Sequence, residues 1–527
     1  MNLAQMTRSE LRAFKRLAAA FLLCAATSLA ASAQTLTTLA NFSASPRPNS
    51  PSTLIQGFDG NFYGTTMSGV ASGECQSSRN SLCGTVFRMT PAGKLTVLHS
   101  FCTQANCPDG QMPSSLVQAI DGNLYGTTYG GGAGCPGNAV PGCGTIYRID
   151  YAGNLTTLYS FCVKTNCPDG SGPGSLVQAP NGVIYGTTSG GGVNNFGTVF
   201  KATTVGKVTT LHSFNNTDGA DPGYGLVLGS DGNIYGTTYF GGNVNCPFNS
   251  AGCGVIFRMT LGGSMNTIYT FCVISYDCFD GANPTGLVEG ADGNYYGTTY
   301  EGGSADSESQ CGSGADGFGC GTIFRVTPTG SQILTTIYNV CGDNYCDLGS
   351  NPVSPMVLGN DGNFYGTTFN GGIDFGGGNC NFACGTVFEI TPSGSLTSLH
   401  SFNWTDGAYP TTLLQSTNGT FYGTTGSGGS DGSNLSGYGT IYRLSTGLAA
   451  FVTADPGGGN VGAKTIISGT NLTGTTAVSF NGTSAQFTAV TKTELIATVP
   501  AGATTGFITV TTPSGTLKSN VTFEVIP

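Results

Sequence analysis

Short apolar runs, about five to seven residues long and bounded by Gly, Pro or Asn, follow one another along most of the chain. Within one stretch, Ser115–Ala119 (SLVQA) reads as a first strand and Leu124–Thr128 as a second. Thr145–Ile149 (TIYRI) reads as a third and Leu155–Phe161 (LTTLYSF) as a fourth. Thr, Tyr, Ile, Val and Phe dominate these runs, as they do in strands. Asp121-Gly122-Asn123 and Asp150–Gly153 supply turn residues that tolerate positive φ. In the fourth run Tyr159 and Phe161 point one way and Leu158 the other, so the sheet is apolar on both faces and must be covered on both.

The unit recurs. DGNLYGTT at Asp121 has counterparts starting at Asp59, Asn181, Asp231, Asp292, Asp361 and Asn418. Such a period signals an array or a propeller. Four-stranded antiparallel sheets stacked around an axis make a β-propeller, and seven repeats predict seven blades. The ends of the array agree with this. Leu36–Phe42 (LTTLANF) matches the fourth strand, whereas the seventh repeat has a third strand at Thr440–Leu444 and no fourth. The N-terminal strand is therefore expected to complete the last blade and close the ring, which removes exposed sheet edges. Turns 1–2 and 3–4 then share one rim and are short. The 2–3 loops and the crossovers between blades share the other rim, and they hold most of the length variation. Function is expected on that long-loop rim.

Near Leu448 the repeat stops. Thr453–Gly458 (TADPGG) reads as a linker. Strands follow at Lys464–Ser468, Ala477–Asn481, Ala485–Val490, Glu494–Val499, Phe507–Thr512 and Val521–Ile526. Short alternating strands with Gly and Asn turns predict a small β-sandwich. The domain reading is residues 1–33, 34–447 and 448–527.

Composition adds the compartment. Charged residues make up 9% of the 527, against about 25% ordinarily, and 85 residues are Gly. With 39% hydrophobic residues in regular alternation, this is not a disorder signature. Residues 1–33 read as a secretory signal, with a basic region to Arg16, an apolar run Leu17–Ala26 and Ala31-Ser32-Ala33 before Gln34. No later run approaches the ~18 apolar residues of a membrane helix. The net charge of −10 leaves no basic run, which argues against nucleic acid and anionic membranes as partners. The mature chain is expected to be exported and soluble.

Cys24 lies within the signal, and the other eighteen cysteines fall in neighbouring pairs. The 2–3 loops hold Cys75/Cys83, Cys135/Cys143, Cys246/Cys253, Cys311/Cys320 and Cys380/Cys384. The crossovers hold Cys102/Cys107, Cys162/Cys167, Cys272/Cys278 and Cys341/Cys346. Pairs present or absent together predict nine local disulfides formed in an oxidising compartment. Zinc binding is the competing reading, but it asks for further Cys or His ligands. His99, His212 and His400 are the only histidines and share one fourth-strand position.

Candidate chemistry is sparse. The Asp of the DGN turn is Asn at Asn181 and Asn418, an exchange that a turn tolerates and a general acid does not. A second acidic series precedes each blade's Pro: Asp109, Asp169, Asp218, Asp280, Asp347 and Asp406. Calcium is the one metal it would suit, although a single Asp per blade sets the ligands far apart. The axial channel is expected to be lined at Gln56, Gln118, Gln178, Leu228, Glu289, Leu358 and Gln415, which offers no carboxylate pair for glycoside hydrolysis. Arg88, Arg148, Arg258, Arg325 and Arg443, with Lys201 and Glu389 at the same site, predict blade-edge salt bridges. No cofactor is expected. The Gly/Ser/Asn/Tyr-rich loops suit sugar contacts, and Trp404 is the single Trp.

Two resemblances follow from these residues. VGAKTIISGTNLTGTTAVSFNGTSAQF and TELIATVPAGATTGFITVTTPSG resemble an IPT/TIG domain, which implies an immunoglobulin-like spacer or adhesive module. DGNxYGTT followed by GTxFRxTPxG and LTxLxSF resembles the GloVer tandem-repeat proteins, a "choice-of-anchor" bacterial family. That resemblance implies export and surface association. The expectation is a secreted, non-enzymatic binding or adhesion protein whose ligand is polysaccharide or a surface protein. A propeller hydrolase or lyase acting on glycans and a passive matrix protein are the alternatives.

Overall fold

The computed structural model describes residues 34–43, 49–69, 83–133, 143–223, 225–242, 246, 250–273, 278–304, 319–328, 334–341, 346–373, 380, 383–429 and 437–526. The signal-like segment 1–33 lies outside them. The described residues are all-β, with no helix among them.

Each repeat folds into an antiparallel sheet whose strands lie in sequence order, a propeller-like blade. In the second repeat the strands are Gln111–Gln118, Leu124–Gly130, Thr145–Ile149 and Leu155–Ser160. The first starts earlier than the sequence pattern predicts. Pro113 stands opposite Thr128, next to a register shift between Pro113 and Ser115 that leaves Ser114 out of the pairing, and a bulge tolerates proline's missing N–H. In the sixth repeat the first strand is split into Ser350–Pro352 and Val357–Leu358.

The DGN turn closes on itself. Gly122 N–H donates to Ala119 O and Ala119 N–H to Asn123 O, both at 2.9 Å. Asp121 Oδ1 accepts Asn123 N–H, and Oδ2 accepts the Tyr125 hydroxyl at 2.7 Å. The same Tyr–Asp bond recurs at Asp59, Asp231, Asp292 and Asp361. Asn181 and Asn418 keep the backbone half of the arrangement. These residues build a turn, in line with the Asp/Asn exchange.

Consecutive sheets share cores, as two apolar faces require. Tyr125, Ile146 and Phe161 of the second sheet cluster with Leu176, Ile184 and Phe200 of the third. Thr35–Asn41 pairs with Thr440–Ser445 in the sheet that also holds Ala408–Gln415 and Phe421–Ser427. Phe42, Phe62 and Phe87 cluster with Tyr422 and Ile441, so the last repeat packs on the first.

Beyond the repeats, two further sheets enclose a core of Ile467, Val478, Leu495, Val510 and Phe523. The predicted linker is itself structured. Thr453–Asp455 joins one of these sheets beside Lys464–Ser468, and Gly458–Asn460 joins the other in parallel with Gly515–Ile526. The chain thus switches sheets at Pro456. The strand at Gly515–Ile526 is longer than Val521–Ile526 because a tight hairpin pairs Thr512 with Gly515.

This C-terminal unit sits on the DGN rim. Thr493 Oγ1 donates to Phe58 O at 2.9 Å, Asn360 Nδ2 to Ala449 O at 2.7 Å, and Phe451 N–H to Thr417 O at 2.9 Å. Burial, then the charges of Asp231 and Glu289, push the Glu524 carboxyl above its usual range. The bonds reach the first, sixth and seventh repeats.

Candidate functional site

The other rim is built around seven sheet-to-sheet junctions. Each carries a glycine at the end of a 2–3 loop, and Gly144 illustrates why. A Cβ there would lie 2.3 Å from Pro173 Cδ of the next sheet and 2.4 Å from Thr128 O. The residue before each such proline adopts positive φ: Ser50, Met112, Gly172, Asp221, Asn283, Asn351 and Tyr409, between 52° and 62°. Non-glycine residues rarely do so. The geometry aims their N–H groups at the preceding loop end. Met112 N–H donates to Cys83 O, Asp221 N–H to Phe196 O, Asn283 N–H to Cys253 O and Tyr409 N–H to Cys384 O, at 2.8–3.1 Å. Ser50 N–H to Tyr438 O, at 2.8 Å, makes the same junction between first and last repeats.

The backbone at this position is constant, and its side chain is not. That side chain lies against the residue that follows GTT in the preceding sheet. The rings of Tyr409 and Phe369 stack 4.6 Å apart at 20°. Asn283 Nδ2 donates to Tyr239 O at 2.8 Å and Asn351 Nδ2 to Tyr300 O at 3.0 Å. Asn370 Nδ2 reaches Asn351 Oδ1 at 3.3 Å. Gly172 leaves room for the Tyr129 ring, which an added Cβ would approach to 2.9 Å. Asn283 Oδ1 is buried without a hydrogen-bond partner. Burial raises the Asp221 carboxyl to about 6 and lifts Glu301 above its usual range. Burial, then Glu301, raises the Tyr300 phenol. The result is an arc of aromatic rings, amides and two carboxyl groups where the first strands enter the axis.

Next to this arc, hydroxyls pair between the first and second strands of five sheets. Ser52–Thr65, Ser114–Thr127, Thr285–Thr298, Ser354–Thr367 and Thr411–Thr424 are hydroxyl pairs at 2.6–3.1 Å. A Cβ on Gly286 would come within 2.5 Å of Pro355 from the next repeat.

The sequence reading of the channel wall is corrected here. Gln118 Oε1 accepts Phe58 N–H, Gln178 Oε1 accepts Ile120 N–H, and Gln415 Oε1 accepts Asn360 N–H, at 2.8–3.0 Å. Gln56 and Glu289 do the same for Thr417 and Ser230. This series clamps adjacent sheets together near the DGN rim. The arginines are also corrected. Among the described residues only Arg258 forms a salt bridge, to Asp231 at 3.0 Å. The others stand opposite the turn tyrosine, as in the Tyr125–Arg148 pair, and at Arg443 the turn residue is Asn418, which offers no carboxylate.

The second acidic series orders the crossovers. Asp109, Asp218 and Asp406 pair with His99, His212 and His400 at 2.8–3.0 Å. Asp169 and Asp280 accept the hydroxyls of Tyr159 and Tyr269, both at 2.8 Å. The same carboxylates accept backbone N–H groups of Cys102, Cys162, Asn215, Cys272 and Asn403. Asp347 holds the corresponding sequence position in the fifth crossover. Among the described residues these acids are not gathered into a cation site; the groups gathered closely enough are cysteines.

Six cysteine pairs are bonded: Cys102–Cys107, Cys162–Cys167, Cys246–Cys253, Cys272–Cys278, Cys341–Cys346 and Cys380–Cys384. Cys83, Cys143 and Cys320 are disulfide-bonded too; their expected partners Cys75, Cys135 and Cys311 lie outside the described residues. Trp404 is partly buried in its crossover, against the core beneath.

A family model described as "Gloeobacter/Verrucomicrobia repeat" matches residues 25–162, 136–311 and 249–490. No curated protein matches the chain. Among solved structures, a fungal alcohol oxidase of the AA5 family in complex with copper is 12% identical, with a TM-score of 0.49, covering 94% of this chain and 99% of that one. PorZ, a bacterial surface component of the type-IX secretion system of Porphyromonas gingivalis, is 11% identical, with a TM-score of 0.43, covering 89% of this chain and 58% of that one.

Proposed function

We propose that this chain, which belongs to the Gloeobacter/Verrucomicrobia repeat family, is an exported, non-enzymatic binding protein whose ligand is polysaccharide. Its architecture in this reading is a seven-bladed β-propeller closed by the N-terminal strand, followed by an immunoglobulin-like module of the IPT/TIG type. The observation that carries the reading is the arc at the long-loop mouth. Stacked Phe369 and Tyr409 and the Asn351–Asn370 amide pair combine ring faces with directional polar groups. Sugars take this combination, since their C–H faces pack on rings and their hydroxyls both donate and accept. The C-terminal unit lies over the DGN rim, which leaves the long-loop rim as the approach.

The mature chain would be tested on a polysaccharide and glycan array, with Ca²⁺ and with chelator. Saturable binding that survives chelation is expected. Loss in chelator would return the crossover aspartates to the role of metal ligands. A blank array would favour the passive matrix reading. The hydrolase or lyase alternative would draw on Asp221 and Glu301, two of the carboxyls that burial raises at this rim. New reducing ends on a bound polysaccharide would establish it.

A further inference from the structure

In the fourth repeat the 2–3 loop pair and the next crossover pair of cysteines come together, although they lie on different loops. Cys246, Cys253 and Cys272 have their sulfurs within 4.8 Å of one another. Cys253 Sγ lies 4.0 Å from Cys278 Sγ. All four residues are buried, at 7%, 0%, 4% and 0% exposure. Cys320 and Cys346 repeat the 4.0 Å approach in the next repeat, and Cys83 clusters with Cys102 and Cys107 in the first. The third repeat lacks cysteine in both its 2–3 loop and its crossover Ser213–Gly219, whereas the sixth carries Cys380 and Cys384 beside the cysteine-free crossover Ser401–Gly407.

We propose that Cys246, Cys253, Cys272 and Cys278, once reduced, form a tetrathiolate site for a thiophilic divalent metal ion of the zinc and cadmium class. A tetrahedral site with metal–sulfur bonds of about 2.3 Å sets its sulfurs about 3.8 Å apart. The contact between the two pairs already has nearly this spacing, so only the two bonded pairs must open. Each disulfide takes two electrons from a dithiol or phosphine reductant and two protons, from the dithiol or from the water that supplies the phosphine oxide's oxygen, and becomes two thiols. The metal ion then displaces four protons as four thiolates bind it. No histidine or carboxylate belongs to the group, which selects a soft ion over calcium or magnesium. The oxidised chain holds no thiolates here, so the site exists only under reducing conditions.

The full mature chain would be reduced anaerobically with a phosphine and titrated with cobalt(II), with near-UV circular dichroism recorded alongside. An intense thiolate-to-cobalt absorption that zinc(II) displaces is expected. Cys253→Ser with Cys278→Ser should lower the saturating cobalt by one equivalent, and Cys246→Ser with Cys272→Ser should do the same. Cys380→Ser with Cys384→Ser should leave it unchanged, because that pair has no crossover partner. Absence of the band in fully reduced protein would overturn the proposal. So would an unchanged equivalent count in both double variants, or a band equally strong in concentrated urea, which would belong to unstructured thiols.

Discussion

The two rims solve the same packing problem in opposite ways. On the DGN rim the repeats are nearly identical. Turn Asp, strand Tyr and clamp Gln bond within and between sheets, and the C-terminal unit lies over them. On the long-loop rim the backbone junction is equally regular, but the side chain it presents varies, from Gly172 to Asp221 to Tyr409. A fixed backbone that carries variable side chains is how a rigid frame presents a binding surface. The uniform rim therefore reads as structure and the variable one as function.

The largest effect should come from breaking the frame that both rims share. Deleting residues 34–43 strips the outer strand from the last sheet. Lost ladder bonds and the lost burial of Phe42 should cost at least about 5 kcal/mol, read as a steep drop in melting temperature. An unchanged melting temperature would mean that the last sheet does not depend on its outer strand. Next, Gly144→Ala forces a Cβ into Thr128 O and Pro173 at a φ of 83°. About 3 kcal/mol should be lost in denaturant unfolding.

Asp221→Asn should act in the other direction. The fold raises this carboxyl from 3.8 to about 6, so it favours the neutral form. The resulting cost to stability is absent below pH 3.8, grows as pH rises toward 6, and is complete above that. The variant should gain about 2 kcal/mol at pH 7 and flatten the unfolding profile between these limits. If Asp221 serves the ligand, that gain comes with weaker binding. The smallest contrast belongs to the uniform rim. Asp361→Ala loses the Tyr365 hydroxyl bond and should cost about 1–2 kcal/mol, whereas Asp361→Asn should cost under about 1 kcal/mol, since Asn181 and Asn418 occupy the same turn. Equal losses in urea unfolding would contradict the turn account.

Much of the frame was legible in the sequence. The repeated DGNxYGTT marks the turn and second strand of each sheet, and the stray LTTLANF marks the closing strand. Strand alternation identifies which residues share a face, but not which neighbour approaches that face. Gln118 therefore read as channel lining, although its carbonyl is taken by Phe58 N–H of the adjacent sheet. The linker at Thr453–Gly458 was misread for a related reason: its Pro and Gly mark a switch between two sheets, which only the sheets themselves reveal. The pre-proline positions were missed altogether. Their signal was present in the fixed Pro after each acidic crossover, preceded by a residue of changing type, but positive φ cannot be read from Met112 or Tyr409. The meeting of cysteine pairs from separate loops was hidden as well, because sequence spacing reports only the pairing within a loop.

The most direct test of a variable, ligand-holding rim is a titration of the mature chain against polysaccharides bound on the array. Wild type, Phe369→Ala with Tyr409→Ala, and Asp121→Asn would be compared in parallel. The account predicts saturable binding by wild type and Asp121→Asn, with at least about a tenfold loss when the stacked pair is removed. Absence of saturable binding in the folded wild type, or full affinity without Phe369 and Tyr409, would contradict it.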